Sequence, residues 1–209
     1  MRYKAFISYS HRADTKLSPV LQAAVQRFAK PWYAARAFRV FRDTTNLSVA
    51  PELWPAIENA LNESEFLVFL ASPQASKSKW VAKELTHWRQ RKDPQNILII
   101  LTEGEIVWDE AIHDFDWNST DAVPDVLSSA FASEPFYLDF RGFKSNRLSF
   151  DDEQFVDHIA SIAAALHRRS KDEIFGEHIR QHRKTMKLAW SAASALLVLA
   201  IAAVIIFSP

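Results

Sequence analysis

The sequence predicts an α/β fold: a flavodoxin-like five-stranded parallel sheet flanked by helices, followed by one C-terminal transmembrane helix. Short apolar segments alternate with segments of helical periodicity, as expected when crossover helices join parallel strands. Two of these segments, 66–71 (FLVFLA) and 96–101 (NILIIL), are almost uniformly apolar, which is typical of strands covered on both faces. The 20 residues at 188–207 contain no charge, proline or glycine, and they predict the final helix.

The predicted elements follow in a regular order. The first strand is expected at Lys4–Tyr9 and the first helix at Leu17–Ala29, because Leu21, Val25 and Phe28 share one helical face. The other strands are expected at Phe38–Phe41, Phe66–Ala71, Asn96–Leu101 and Phe136–Asp139, and the other helices near Glu52–Leu61, at Lys79–Arg91 and at Asp152–Leu166. In the acidic region Thr102–Glu134 we expect loops with one or two short helices.

The segment 66–85 contains the most informative residues. A turn at Ser72-Pro73 follows the apolar strand, and Ser76 or Ser78 can cap a helix that carries Trp80 and Glu84 in its first turns. Residues four apart share a helix face, so an indole and a carboxylate are expected side by side just beyond the carboxyl end of a strand. Ligands of open α/β sheets bind at such strand ends.

A structural role is the alternative for this pair. Trp80 could be a packing residue, and Glu84 could be a solvated partner of Lys79 or Lys83, because charges on helices usually face water.

Composition excludes several classes of function. The 25 basic and 25 acidic residues balance, so charge gives no argument for nucleic acid, and no nucleic-acid partner is expected. The absence of cysteine excludes disulfides, thiolate zinc sites and a cysteine nucleophile. Three glycines cannot supply a GxGxxG fingerprint or a P-loop. His178 and His182 are four apart in a basic segment with no evident acidic third ligand, so we expect no metal site.

The last part of the chain predicts a membrane anchor. A helix over 188–207 would span about 30 Å, the thickness of the hydrocarbon layer. A buried core helix is the alternative, but the segment is apolar on all sides and follows a complete domain. The preceding residues, 168–187, carry seven Lys/Arg against three Asp/Glu. The positive-inside rule therefore places the folded domain in the cytoplasm, at the inner membrane, with Trp190 at the interface.

Three segments together resemble a TIR (Toll/interleukin-1 receptor) domain over residues 1–168, which leaves 169–187 as a basic juxtamembrane segment. They are Phe6–Asp14 (FISYSHRAD), Arg42–Ser48 (RDTTNLS) and Ser72–Leu85 (SPQASKSKWVAKEL), in the order and spacing of that family. The pattern Trp80-x-x-x-Glu84 resembles the signature of TIR domains that hydrolyse NAD. The box 2 loop lacks the Pro-Gly of many animal receptors, so the chain looks more like the bacterial branch.

The resemblance implies a set of site residues. Glu84 matches the catalytic glutamate, and Trp80 matches the tryptophan that lines the pocket. The segments expected to flank the same strand ends supply the remaining candidates for substrate binding, which are Ser10, His11, Arg12, Asp43, Leu47 and Ser48. In the family, the box 2 loop of a neighbouring domain completes the pocket, and here that loop is Asp43–Pro51. NAD would be a substrate, and no cofactor is expected.

Several of these residues have a structural role as the alternative. A surface salt bridge is the structural role for Arg12 and Arg42, whereas a binding role would place Arg12 on the pyrophosphate. Asp43 more often stabilises its own loop by hydrogen bonds to the backbone. The apolar loop residues Leu47 and Val49 could instead pack on the following helix.

One carboxylate is enough for this chemistry. Glycoside hydrolysis usually takes two, since the leaving oxygen needs a proton. Nicotinamide leaves a cationic pyridinium as a neutral molecule and needs none. A single anion such as Glu84 can orient the ribose hydroxyls and stabilise the oxocarbenium-like ribose.

Three functions are compared. The favoured one is a membrane-anchored NAD glycohydrolase that acts when its TIR domains associate, in bacterial defence or signalling. The first alternative is a non-catalytic module that works through TIR–TIR contacts alone, for which Glu84 beside Trp80 has no purpose. A membrane-damaging effector is a third, which a single span with basic flanks fits poorly. After the span, two alternatives stay open: a natural end of the chain, or a C-terminal sensor domain that is absent from this sequence.

Overall fold

A computed structural model describes residues 2–28, 39–42, 53–143 and 148–174. Within these ranges the strands are β1 Tyr3–Ser8, β2 Val40–Arg42, β3 Ser64–Ala71, β4 Ile97–Leu101, β5 Trp108–Asp109, β6 Asp114–Phe115 and β7 Tyr137–Asp139. Five of them form a parallel sheet in the order β2-β1-β3-β4-β7, whereas β5 and β6 pair separately as a short antiparallel ladder. This is the flavodoxin-like order predicted from the sequence.

Helices cover both faces of the sheet. They are α1 Leu17–Arg27, α2 Leu53–Glu63, α3 Pro73–Ser76, α4 Lys79–Arg91 and α5 Glu153–His167. Alternate residues of each strand contribute to two separate cores, as the pleat requires. Ile7 packs with α1 and α5 on one face, whereas Phe6 packs with α2 and α4 on the other. Because both faces are covered, the middle residues of β1, β3 and β4 are apolar on both sides, which explains why these strands could be recognised in the sequence.

The strand order creates a crevice at one place. The chain passes from β1 outward to β2 and then returns to β3 on the other side of β1. The connections after β1 and β3 therefore diverge to opposite faces of the sheet. Ser8 ends β1 and lies beside Phe69 of β3 in the parallel register. Ligands of doubly wound folds bind outside the carboxyl ends of the strands at such a switch point.

The amino edge of the sheet is closed by ion pairs. Glu65, near the start of β3, binds Lys4 Nζ at 2.6 Å and Arg168 Nε at 3.2 Å. Both cations also lie over the Phe66 ring, about equally distant from its centre at 5.4 and 5.5 Å. Arg168 caps α5, so this helix ends at the edge of the sheet opposite the β1–β3 crevice.

The structure corrects several boundaries. The strand predicted at Phe38–Phe41 is observed at Val40–Arg42, so Arg42 belongs to a strand and not to the following loop. The turn predicted at Ser72-Pro73 begins the short helix α3, whose first turn is capped by the Ser72 side chain. The strand β7 begins at Tyr137 and leaves Phe136 exposed.

The region 102–134 contains more order than predicted. One short 3-10 helix, Asp125–Leu127, agrees with the expectation. The ladder of β5 and β6 was not expected, because each strand has only two residues and gives no detectable alternation.

No helix among the described residues is both long and apolar enough to cross a membrane. The span predicted at 188–207 lies outside those residues, as does most of the basic segment before it.

Candidate active site

Helix α4 places Glu84 beneath the end of β1. The Ser78 hydroxyl accepts a hydrogen bond from Val81 N and so caps the helix. Of the two caps that the sequence predicted, Ser76 and Ser78, the structure shows Ser78. Glu84 follows one and a half turns later and is only 4% exposed. The Ser8 hydroxyl donates a hydrogen bond of 2.5 Å to Glu84 Oε2. The alternative in which Glu84 is a solvated partner of Lys79 or Lys83 is therefore wrong.

Strand alternation explains why Ser8 reaches this carboxylate. Phe6 belongs to the core under α2 and α4, and Ser8 is two residues further on the same strand face. The Ser8 hydroxyl is fully buried, and a buried hydroxyl is stable only when it forms a hydrogen bond. By donating to Glu84 it stabilises the ionised form and fixes its orientation.

Trp80 lies on the same helix but in a different environment. Its side chain is 48% exposed, and its ring centre is 6.4 Å from that of Trp54 at the start of α2. Trp80 and Glu84 are thus neighbours along the helix, as expected, but their side chains lie in different environments. Glu84 turns inward to the sheet, whereas Trp80 stays at the surface because the core beneath its turn is occupied by Val81. The alternative of Trp80 as an ordinary packing residue is not supported by this exposure.

The β1–α1 connection contributes the predicted residues Ser10, His11 and Arg12. Ser10 is buried, and its hydroxyl accepts a hydrogen bond from Arg12 N, so it shapes the turn. His11 is exposed and stacks on Tyr9 with ring centres 4.8 Å apart. Arg12 is exposed at the same edge of the sheet. The three residues therefore lie near the strand ends, and their role in binding remains a prediction.

Asp14 is a second buried carboxyl group in this connection. It is 4% exposed, and its Oδ2 atom has no hydrogen-bonding partner among the described residues. Burial raises the pKa of Asp14 to about 6, and a side-chain hydrogen bond with Thr102, just after β4, opposes that shift. The nearby Glu103 carboxylate raises the pKa further. Asp14 was not selected from the sequence, because a single aspartate before a helix usually acts as a cap.

Arg42 has a structural place. Its guanidinium donates to Gln22 Oε1 at 3.1 Å and to the Tyr9 hydroxyl at 3.3 Å, and thereby ties β2 to α1 and β1. These partners are neutral, so they differ from the surface salt bridge considered above.

The remaining predicted site residues belong to the box 2 loop. Asp43, Leu47 and Ser48 lie outside the described residues, as do Val49, His178 and His182. Within the described ranges, no cluster of three or more His, Asp or Glu side chains is suited to hold a metal ion.

The geometry offers one definite chemical capacity. A buried, hydrogen-bonded carboxylate lies at the switch point of a parallel sheet, and an exposed indole lies one turn away on the same helix. Such a carboxylate can stabilise a positive charge that develops in a ligand held at the strand ends, because little water competes with it.

Comparison with known proteins agrees with this architecture. The family model for the TIR domain matches residues 6–128. The NAD(+) hydrolase ApTIR of Actinoplanes sp. is 43% identical over 203 residues, which are 95% of this chain and 28% of that protein. The chain therefore spans little more than a quarter of the length of this relative.

A solved structure gives a weaker likeness. The TIR domains of the activated Roq1 resistosome, which directly recognises the pathogen effector XopQ, align with a TM-score of 0.38 at 18% identity. The alignment covers 47% of this chain and 57% of that chain, and a similarity of this size carries no functional information. The match of the family model to more than half of the residues is sufficient by itself: this chain belongs to the TIR domain family.

Proposed function

We propose that this chain is an NAD glycohydrolase, which cleaves the bond between nicotinamide and ribose with Glu84 as the catalytic group. The observation that carries the proposal is the burial of Glu84 and its hydrogen bond from Ser8 at the β1–β3 switch point. A carboxylate that served only solubility or TIR–TIR contacts would lie on the surface. The relative from Actinoplanes sp., named as an NAD(+) hydrolase, supports the same reaction.

The chemistry follows from the charge of the substrate. Nicotinamide departs as a neutral molecule, so the reaction needs no general acid at the leaving group. The positive charge moves to the ribose, where the Glu84 carboxylate stabilises it. Ser8 holds the carboxylate in one orientation, and Trp80 supplies an aromatic face at the mouth of the site. Water then captures the ribose to give ADP-ribose.

We further propose that the enzyme is anchored at the inner membrane and acts when neighbouring TIR domains assemble. The uncharged segment 188–207 behind basic residues supports the anchor. Confinement to a membrane raises the effective concentration of the domains, so that modest lateral contacts suffice. In this arrangement the loop Asp43–Pro51 of one domain completes the site of the next, and the domain faces the cytoplasm.

The experiment that tests the catalytic proposal is NAD turnover by the full chain, followed by chromatography of nicotinamide and ADP-ribose. Glu84→Gln keeps the size of the side chain and removes its charge. We expect turnover to fall by about 10²-fold or more, because the transition state loses its counter-charge. Assays over a wide range of protein density on vesicles test assembly, since turnover per chain should rise steeply with density.

The matched control is Glu65→Gln at the opposite edge of the sheet. Glu65 is partly buried and ion-paired, so Glu65→Gln removes the same charge far from the carboxyl ends of the strands. Undiminished turnover in a folded Glu84→Gln protein would reject the catalytic assignment. An equal loss of turnover in both variants would mean that the effect comes from reduced stability.

A further inference from the structure

A cation and two indoles form a cluster beside Glu84. Trp54 lies in the first turn of α2, and its ring is tilted by 34° to that of Trp80. The Lys83 ammonium lies 3.8 Å from the centre of the Trp54 ring and 5.8 Å from that of Trp80. His87 packs edge-on against Trp54, with ring centres 5.9 Å apart, so the indole that carries Lys83 is held from below.

The cluster holds the ammonium in a defined place. Exposed lysine side chains normally sample many rotamers, but a close contact with a tryptophan face favours one position. Among the described residues, no carboxylate forms an ion pair with Lys83. The positive charge at this surface is therefore available to an anionic ligand, although the aromatic contact already restrains its position.

The arrangement has a polarity that matches a zwitterionic ligand. Lys83 and Glu84 are adjacent in sequence, yet the cation is exposed and the carboxylate is buried under β1. A nicotinamide dinucleotide carries one positive charge on the pyridinium and two negative charges on the diphosphate. Only one orientation places the pyridinium half toward Glu84 and the diphosphate toward Lys83. The reverse orientation would oppose like charges at both places.

We propose that Lys83 and Trp54 form the subsite for the diphosphate of the dinucleotide, with the Trp80 ring beside it. The identity of the ligand rests on the proposed function, and the inference adds the groups that decide which way round the ligand binds. Lys83 binds the diphosphate oxygens, and Trp54 positions Lys83 by the contact of its ring with the ammonium. Neither residue takes part in bond cleavage.

The test is calorimetric titration of the full chain with ADP-ribose, a ligand that contains the diphosphate but lacks the scissile bond. We expect Lys83→Gln to raise the Kd for ADP-ribose about tenfold, since hydrogen bonds to charged groups are of that strength. Lys83→Arg should keep most of the affinity, and Trp54→Phe should give a smaller loss. Lys79→Gln, the same change of charge at an exposed residue of the same helix, is the control.

A second measurement separates the two halves of the ligand. In NAD turnover, Lys83→Gln should raise the KM with little change in kcat, whereas cleavage of nicotinamide riboside, which has no phosphate, should be unaffected. An unchanged Kd for ADP-ribose in Lys83→Gln, an equal loss in Lys79→Gln, or absence of binding by the unaltered chain would each overturn the subsite.

These results are independent of the catalytic assignment. Loss of turnover in Glu84→Gln with no effect of Lys83→Gln would leave the enzyme proposal standing and reject the subsite. Lys83-dependent binding of ADP-ribose by a chain that does not cleave NAD would do the reverse.

Discussion

The two edges of the parallel sheet differ in how far their acidic side chains are exposed to water. At the amino edge, Glu65 is partly exposed and paired with the cations Lys4 and Arg168. At the carboxyl edge, Glu84 and Asp14 are each 4% exposed, so two carboxyl groups are almost fully withdrawn from water. Each strand contributes one end to each edge, so this difference in exposure comes from the side chains and not from the backbone.

The comparison indicates where this fold buries charged groups at a cost in stability. Burying a carboxylate costs free energy unless hydrogen bonds or opposite charges compensate it. At the amino edge the sequence avoids that cost by leaving its ions in contact with water and with each other. At the carboxyl edge two carboxyl groups are buried, Glu84 with a hydrogen bond from Ser8 and Asp14 with a raised pKa, and such departures from local preference concentrate at functional sites. The contrast is therefore evidence for function that does not depend on any motif.

Two buried serines allow the comparison to be tested directly. Ser8 ends β1 at the carboxyl edge and donates to Glu84, whereas Ser64 begins β3 at the amino edge and donates to the Ala60 carbonyl at 2.7 Å. Hydrogen bonds to charged groups contribute about 1.5–3 kcal/mol, so Ser8→Ala should reduce NAD turnover by between about tenfold and 10²-fold. Ser64→Ala should leave turnover unchanged and cost about 1 kcal/mol of stability.

Turnover and urea unfolding measured on the same two variants give the result. If both substitutions affect only unfolding, the Ser8 hydroxyl is a structural group like its counterpart, and the contrast between the edges does not extend to catalysis.

The second prediction concerns the pH dependence of stability. The pKa of Asp14 is raised from 3.8 to about 6 in the folded chain, mainly by burial. The folded state therefore binds the proton more tightly than the unfolded state. This contribution to stability is fully present below about pH 4 and is lost as the pH rises through about 6. Above that pH, the ionised group destabilises the fold by about 3 kcal/mol at most.

Asp14→Asn removes the charge and keeps the shape. We expect it to stabilise the chain by about 1–2 kcal/mol at pH 8, less than the full value because the amide must also find hydrogen-bonding partners. The advantage should shrink toward pH 5, where the native carboxyl group is largely protonated. Urea unfolding at the two pH values measures this difference. A stabilisation that does not change with pH would mean that Asp14 is not the group that titrates.

Much of the fold could be predicted because its signals are local. The segments at β3 and β4 are apolar on both faces, and Ser78 is a helix cap that can be read from three neighbouring residues. The strand order followed from the alternation of strands and helices. The ladder of β5 and β6 could not be predicted, because its two-residue strands depend on contacts with the core and not on their own pattern.

The candidate site could be predicted only in part, for a related reason. Helical spacing placed Trp80 and Glu84 on one helix, but it could not show that Glu84 lies under β1, since Ser8 is 76 residues away. It also could not distinguish Asp14 from an ordinary capping residue, because its burial depends on Thr102 after β4. Trp54 and Lys83 were not recognised as a pair for the same reason, as they belong to separate helices.

The smallest effects are expected at the amino edge, where the comparison predicts that removing a charge matters little. Glu65→Gln breaks two ion pairs, yet Lys4 and Arg168 keep their contacts with the Phe66 ring and remain partly in water. Ion pairs that keep contact with water contribute about 0–1 kcal/mol, so the free energy of unfolding should fall by less than about 1 kcal/mol even though Glu65 is partly buried. The loss should diminish further at high salt, because screening weakens exposed pairs. Urea unfolding at low and high ionic strength, in a cycle with Lys4→Met, isolates the coupling between the two side chains. A coupling well above 1 kcal/mol that resists salt would mean that the amino edge also holds a buried network. Both edges would then bury charged groups, and the functional interpretation of the carboxyl edge would depend on the catalytic measurements alone.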